Sequence, residues 1–150
     1  MKMIYILPFV LAPTFALSEQ IVSAEKRVET LLAKAEKSCV SDGGTFDYTD
    51  DAVTQYDFDK DGETDLTVLH EYAYICSISS NYFAGTAGAV AHLISKTDYA
   101  YGYARSVQVM NAFNNVPVIL LLVHGMSCDE AGYVGCVQAI TIHEDRFVSP

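Results

Sequence analysis

The residues with the most distinctive chemistry lie in the acidic segment 57–65, which has the spacing D-x-D-x-D-G-x-x-D. Carboxylates at alternate positions of a loop can surround a hard cation, and Gly62 allows the chain to turn sharply between them. Oxygen ligands of this kind are those that Ca²⁺ prefers. We therefore predict one structural Ca²⁺ site in this segment. Its predicted ligands are Asp57, Asp59, Asp61, the carbonyl oxygen of Glu63, and Asp65.

The first half of this segment resembles the calcium loop of an EF-hand, whereas the second half departs from it. The twelfth position, where an EF-hand has a bidentate glutamate, is Val68. Residues 66–70 are mainly apolar or β-branched, which favours a strand over an exiting helix. The shortened loop between strands resembles those of dockerin-type and FG-GAP repeats, in which the last aspartate closes the cage. The alternative is a solvated acidic turn that holds no ion.

The first 18 residues have the features of an export signal. Lys2 precedes an apolar run over residues 3–15, and small residues, Ala16 and Ser18, occupy the −3 and −1 positions of a cleavage site. The apolar run is too short to serve as a permanent membrane anchor. We predict that residues 1–18 are a signal peptide and that residues 19–150 form a single disulfide-stapled domain, periplasmic or secreted, with no membrane anchor.

The charge of the chain restricts its partners. It has 9 lysines and arginines against 19 acidic residues, for a formal net charge of −10. Removal of residues 1–18 would take away one lysine, leaving 8 basic residues and a formal charge of −11. Binding of nucleic acid or of an anionic lipid surface requires a basic footprint, so both are excluded. The sequence indicates no particular partner.

The pattern of apolar residues predicts an α+β domain that is mostly β. Residues 19–37 have apolar positions at three- and four-residue intervals, which predicts an amphipathic helix ending near Ser38 and Cys39. We expect this helix to pack on an antiparallel sheet of about 5–6 strands. The predicted strands are residues 52–56, 65–71, 89–95, 104–112, 116–124, 136–143 and 146–149.

The most apolar of these segments, residues 116–123, is apolar in both phases of a strand. This pattern predicts a central strand covered on both faces. Pro117 is expected among its first residues, where a missing hydrogen-bond donor costs least. The N-terminal helix is the expected cover for one of its faces.

Four cysteines are present in a chain with an export signal: Cys39, Cys76, Cys128 and Cys136. An even number in an oxidising compartment predicts two disulfides, and the sequence alone allows three pairings. The spacings of cysteine and histidine do not match a zinc site.

Together these motifs resemble a family of small uncharacterised secreted bacterial proteins. The shared features are a C-x-x-D-G-G start at Cys39, the acidic loop, and an H-G-x-x-C…C ending that begins at His124. Members often carry a further cysteine pair at positions where this chain has Ala84 and Ala89. The resemblance implies that the remaining cysteines pair as Cys39–Cys76 and Cys128–Cys136. It implies an architecture and an ion loop but no activity.

Histidine and tyrosine side chains are the other candidates for function. The four histidines lie at or near the ends of predicted strands, and their phases do not converge on one site: His70, His92, His124 and His143. Tyr99, Tyr101 and Tyr103 alternate and would share one face of a strand. No nucleophile motif is present, so we predict a non-enzymatic module. The alternative is a secreted hydrolase, a hydrolase inhibitor or a carbohydrate-binding protein that uses the Tyr/His surface.

Overall fold

The computed structural model describes residues 22–111 and 116–149. The predicted signal peptide and residues 19–21 of the predicted helix lie outside the described residues, as does residue 112 of a predicted strand. None of the helices within the described ranges combines the length and the hydrophobicity that a membrane span requires. The described residues form one α-helix, α1 (Ala24–Ser41), and eleven strands: β1 (Phe46–Tyr48), β2 (Val53–Tyr56), β3 (Leu66–His70), β4 (Tyr74–Cys76), β5 (Ala84–Gly85), β6 (Gly88–Ser95), β7 (Tyr99–Ala104), β8 (Ser106–Asn111), β9 (Pro117–Val123), β10 (Cys136–His143) and β11 (Arg146–Val148).

The strands form two main sheets and one small one. The five-stranded sheet has the order β2-β3-β6-β5, with β7 also paired to β6. The four-stranded sheet has the order β11-β10-β9-β8, and β1 pairs with β4 separately. All of these pairings are antiparallel, which confirms the prediction of a mostly β, antiparallel protein with one helix. The strands were predicted to form a single sheet of about 5–6 strands, whereas they are divided between two main sheets and a small one.

The chain passes from one main sheet to the other at a single residue, Arg105. This residue separates β7 from β8, and its backbone N–H donates to the carbonyl oxygen of Leu122 on β9 at 2.7 Å. A bend of this kind lets one extended segment serve two sheets. The two sheets then pack face to face through a core of apolar side chains. Its buried members are Leu66, Val68, Ala91, Leu93, Ala104, Ile119, Leu121 and Val123.

Helix α1 covers the opposite face of the five-stranded sheet. The side chain of Ser23 caps the helix by accepting a hydrogen bond from the backbone N–H of Lys26 at 3.3 Å. The apolar stripe of the helix, which includes Leu31 and Ala35, packs into a second core with Leu69 of β3 and Tyr74 of β4. The five-stranded sheet is therefore the middle layer of the molecule.

This layering corrects the expectation for residues 116–123. The helix does not cover β9, since its partners belong to β1, β3 and β4. Along β9 only alternate residues, beginning with Ile119, are buried, and the residues between them are half-buried. The strand covered on both faces is β3, in which Leu66 and Val68 face the inter-sheet core and Leu69 faces the helix.

Candidate functional site

The acidic segment is the connection between two paired strands. Tyr56 at the end of β2 lies opposite Leu66 at the start of β3. The backbone N–H of Asp65 donates to the carbonyl oxygen of Tyr56 at 2.8 Å and closes the base of the loop. The predicted position of the acidic residues, between two strands, is therefore observed.

Asp57 organises the turn from within. Its Oδ1 accepts a hydrogen bond from the backbone N–H of Lys60 at 2.6 Å, and its Oδ2 accepts one from Gly62 at 3.0 Å. Lys60 and Gly62 have φ values of 63° and 91°, which are left-handed conformations. The glycine adopts this conformation without strain, which explains its place in the motif.

Three carboxylates converge at this turn. Asp57, Asp59 and Asp61 each offer one oxygen, and these oxygens lie within 4.8 Å of one another. All three residues are exposed, and within the described parts of the chain they form the one group of three or more residues able to hold a metal ion. Three ionised carboxylates at this spacing repel one another, and a divalent cation among them would offset that repulsion.

The other two predicted ligands, Glu63 and Asp65, face a lysine. Lys96 Nζ lies 3.1 Å from Glu63 Oε2 and 3.4 Å from Asp65 Oδ1. The pairing of Leu66 with Ser95 brings β6 alongside β3 and places Lys96 next to Asp65. The hydrogen bond to Glu63 raises the pKa of Lys96 above its ordinary value, so the ammonium group remains charged. The structure therefore gathers three of the four predicted side-chain ligands and pairs the fourth, Asp65, with Lys96, which also holds the side chain of Glu63.

His92 forms a second polar cluster, which the sequence did not indicate. Its side chain is 7% exposed, and its Nε2 lies 3.0 Å from Glu71 Oε1. Because a carboxylate accepts, Nε2 is the donor to Glu71, and Nδ1 lies within hydrogen-bond distance of the Tyr99 hydroxyl oxygen, 2.8 Å away. The guanidinium of Arg27 lies 4.5 Å from the centre of the Tyr99 ring. Sequence reasoning missed Glu71 and Arg27 because both come from elements distant in sequence.

The predicted tyrosine face is present on β7. Tyr101 and Tyr103 are 71% and 64% exposed, and they alternate with residues that point to the opposite face. Tyr99, the third member, is held against His92 and Arg27. Only two of the three tyrosines are therefore presented to solvent.

The two disulfides have the pairing that the resemblance implied. Cys39–Cys76 joins the last turn of α1 to β4, with a Cα–Cα distance of 5.8 Å. Cys128–Cys136 joins the segment after β9 to the start of β10, with a Cα–Cα distance of 6.6 Å. Two disulfides are typical of proteins that fold outside the cytoplasm.

The fold changes the titration of His70. Its Nε2 donates to the carbonyl oxygen of Ala104 at 3.2 Å, which leaves Nδ1 of the neutral ring as an acceptor. Burial lowers the pKa of His70, and this effect outweighs the opposite influence of the Ala104 hydrogen bond and of nearby Asp51 and Glu71.

Acidification is expected to destabilise the protein in part through His70. Because the folded pKa lies below the ordinary value of 6.5, the unfolded chain binds this proton more tightly. The contribution to stability is complete above pH 6.5 and declines as the pH falls through that value toward the folded pKa. Melting temperatures measured between about pH 8 and pH 5 should fall less steeply for His70→Gln than for the wild type. His143→Gln, at an exposed position, should keep the wild-type slope; a wild-type slope in His70→Gln would contradict this prediction.

A scan against protein-family models, a search of curated proteins and a search of solved structures each give no match to this chain. Two arrangements in which polar side chains converge are the aspartate group and the buried His92 cluster.

Proposed function

We propose that the protein is an exported, non-enzymatic module that binds one structural Ca²⁺ ion through its acidic loop. The observation that carries this proposal is the convergence of Asp57, Asp59 and Asp61, with oxygens within 4.8 Å of one another. All of these ligands are carboxylate oxygens. Oxygen-only sites favour hard cations, whereas Zn²⁺ favours nitrogen and sulfur ligands.

The loop suits Ca²⁺ better than Mg²⁺. Mg²⁺ requires near-ideal octahedral geometry and releases its water reluctantly, whereas Ca²⁺ accepts irregular sets of six to eight oxygens. Backbone hydrogen bonds already orient part of the loop: Asp59 accepts from the N–H of Asp61 at 3.1 Å, and Asp61 accepts from that of Glu63 at 2.8 Å. These contacts hold the carboxylates close together before an ion arrives.

Lys96 forms salt bridges with the last part of the loop, Glu63 and Asp65. Its single positive charge is shared by Glu63 and Asp65, and within the described residues the three-aspartate group forms no salt bridge. We infer that the ion first binds this group and that the carbonyl of Glu63 and the carboxylate of Asp65 complete the cage. Asp65 would then exchange its contact with Lys96 for one with the ion.

The two disulfides and the predicted signal peptide support a periplasmic or secreted location. The proposed relationship to the family of small secreted bacterial proteins is consistent with the same features. Ca²⁺ sites of extracellular modules have dissociation constants of about 10⁻⁴–10⁻³ M, so a weak site is compatible with such a location.

Calorimetric titration of the metal-stripped protein with CaCl₂ tests this function. We expect one ion per chain, and we expect Asp59→Asn to weaken binding by more than about tenfold, since even residues that only support a metal ligand have effects of this size. Asp129→Asn removes an equal charge from an exposed residue outside the loop and should bind Ca²⁺ like the wild type. Equal affinities of Asp59→Asn and the wild type would refute the site.

A further inference from the structure

A cleft of about 370 Å³ opens between the two main sheets, on the side where β2 and β8 form their edges. Tyr56 and Val68 line it from the five-stranded sheet, and Val107 lines it from the four-stranded sheet. The 3₁₀ turn Asp50–Ala52 contributes Asp51 to its wall. The volume lies in the lower part of the range, about 300–1,000 Å³, that small-molecule sites occupy.

Polar groups from separate elements meet in this cleft. Asp51 comes from the 3₁₀ turn, Thr54 from β2, His70 from β3 and Ser106 from β8. The hydrogen bond from His70 to Ala104 uses Nε2. The other ring nitrogen, Nδ1, makes no hydrogen bond within the described parts of the chain. The cleft therefore offers a ligand the imidazole acceptor, the hydroxyls of Thr54 and Ser106, and the carboxylate of Asp51, whose Oδ1 also accepts a hydrogen bond from the hydroxyl of Thr49 in the same cleft.

The charge of the cleft is balanced, although the protein as a whole is strongly acidic. Asp51 is negative, whereas Arg105 is positive and donates from Nη2 to the carbonyl oxygens of Thr86 and Gly132, both at 3.1 Å. Burial keeps His70 in its neutral form at neutral pH by lowering its pKa. Asp51 and the net charge of −10 would repel an anion, and the positive charge of Arg105 would repel a cation. The arrangement therefore favours a neutral ligand.

An aromatic ring stands at the edge of this polar group. Tyr72 lines the cleft, is 59% exposed, and stacks on His70 with 5.9 Å between ring centres and 28° between ring planes. The face of an aromatic ring is electron-rich and attracts the polarised C–H groups of a sugar ring. Hydroxyl partners beside an aromatic face are the groups that a sugar requires.

We propose that this cleft binds a neutral monosaccharide, either free or at the end of a glycan. The hydroxyls of the sugar would donate hydrogen bonds to Asp51 and to His70 Nδ1, and would form a further hydrogen bond with the hydroxyl of Thr54. The C–H face of the sugar would contact the ring of Tyr72. This site is separate from the acidic loop and gives the module a ligand. It differs also from the tyrosine face of β7, which does not line this cleft.

Nuclear magnetic resonance of the isotope-labelled full-length protein tests the proposal. Glucose, galactose, mannose and N-acetylglucosamine are titrated separately while the imidazole signals of His70 are followed. We expect at least one of these sugars to give a saturable shift of the His70 signals. Asp51→Asn should weaken that sugar by about tenfold or more, since it removes a charged hydrogen-bond acceptor. Asp129→Asn, the matched loss of charge elsewhere, should leave the affinity unchanged.

A second variant distinguishes loss of sugar binding from loss of folding. Thr54→Val replaces a hydroxyl in the cleft by a methyl group of similar size, and melting curves of both variants establish that they are folded. We expect Thr54→Val to weaken sugar binding by several-fold. The proposal would be overturned if none of the four sugars shifted the His70 signals. It would also be overturned if the sugar affinity were unchanged in both Asp51→Asn and Thr54→Val, or if the sugars shifted the signals of Tyr101 and Tyr103 alone.

Discussion

Loss of the Cys39–Cys76 disulfide is expected to lower the free energy of unfolding by about 4 kcal/mol. The bridge joins residues 37 positions apart, so it restricts a long loop in the unfolded chain. Both cysteines are buried, at 0% and 3% exposure, and they fix the last turn of α1 to β4. The measurement is urea unfolding of the Cys39→Ala/Cys76→Ala double variant against the wild type.

The second disulfide provides the matched control. Cys128 and Cys136 are separated by only 8 positions, and both are partly exposed. The same chain-entropy relation gives about 2.5 kcal/mol for the Cys128→Ala/Cys136→Ala variant. We expect the two double variants to differ by more than about 1 kcal/mol in this order. Equal losses, or a larger loss for the shorter loop, would contradict this assignment of stability.

Leu69→Ala is expected to cost about 3 kcal/mol of stability. Leu69 is 0% exposed in the core between the five-stranded sheet and α1, beside Ala35 and Tyr74. Truncation removes buried apolar surface and leaves a cavity that a disulfide-bonded helix cannot easily fill. Urea unfolding of this variant, with both disulfides intact, measures the effect.

Leu120→Ala is the control for the layer arrangement. Leu120 lies in the middle of β9 but on the face away from the inter-sheet core, where it is half-buried. Its truncation should cost about 1 kcal/mol, because less surface leaves water in the folded state. If Leu120→Ala were as destabilising as Leu69→Ala, the second face of β9 would also have to be covered, which would contradict this layer order.

The local parts of this fold were predictable from the sequence. The loop lies between strands because residues 66–70 are mainly apolar or β-branched. The helix was predicted over residues 19–37, whereas α1 begins at Ala24, after the capping residue Ser23, and continues to Ser41. The C-x-x-D-G-G motif also has a local reason, since a Cβ on Gly44 would lie 2.6 Å from the sulfur of Cys76. Each of these features depends on neighbours in the chain or on one disulfide.

The layer order was not predictable in the same way. Both β3 and β9 are rich in apolar residues in both phases of the strand, and hydrophobic periodicity does not indicate which of the two another element covers. The division into two sheets depends on the bend at Arg105, the second residue of the segment 104–112 that was predicted as a single strand. Tertiary packing decides both features.

The candidate site shows the same distinction. The spacing of Asp57, Asp59 and Asp61 predicted their convergence, because alternate residues of a tight turn stay close together. The pairing of Glu63 and Asp65 with Lys96 depends on the register of β6 against β3, which no local pattern encodes.

Calcium-dependent thermal unfolding of the EDTA-stripped protein tests the ion site most directly. Ca²⁺ that binds the folded chain alone should stabilise it by about 2.7 kcal/mol at a hundredfold excess over Kd, and Mg²⁺ should have a smaller effect. Asp61→Asn should remove the shift but stay folded, because the residue is exposed in a loop. A rise in Tm with Ca²⁺ that Asp61→Asn abolishes is the predicted result. A wild-type Tm that millimolar Ca²⁺ leaves unchanged would show that the loop is only an acidic turn.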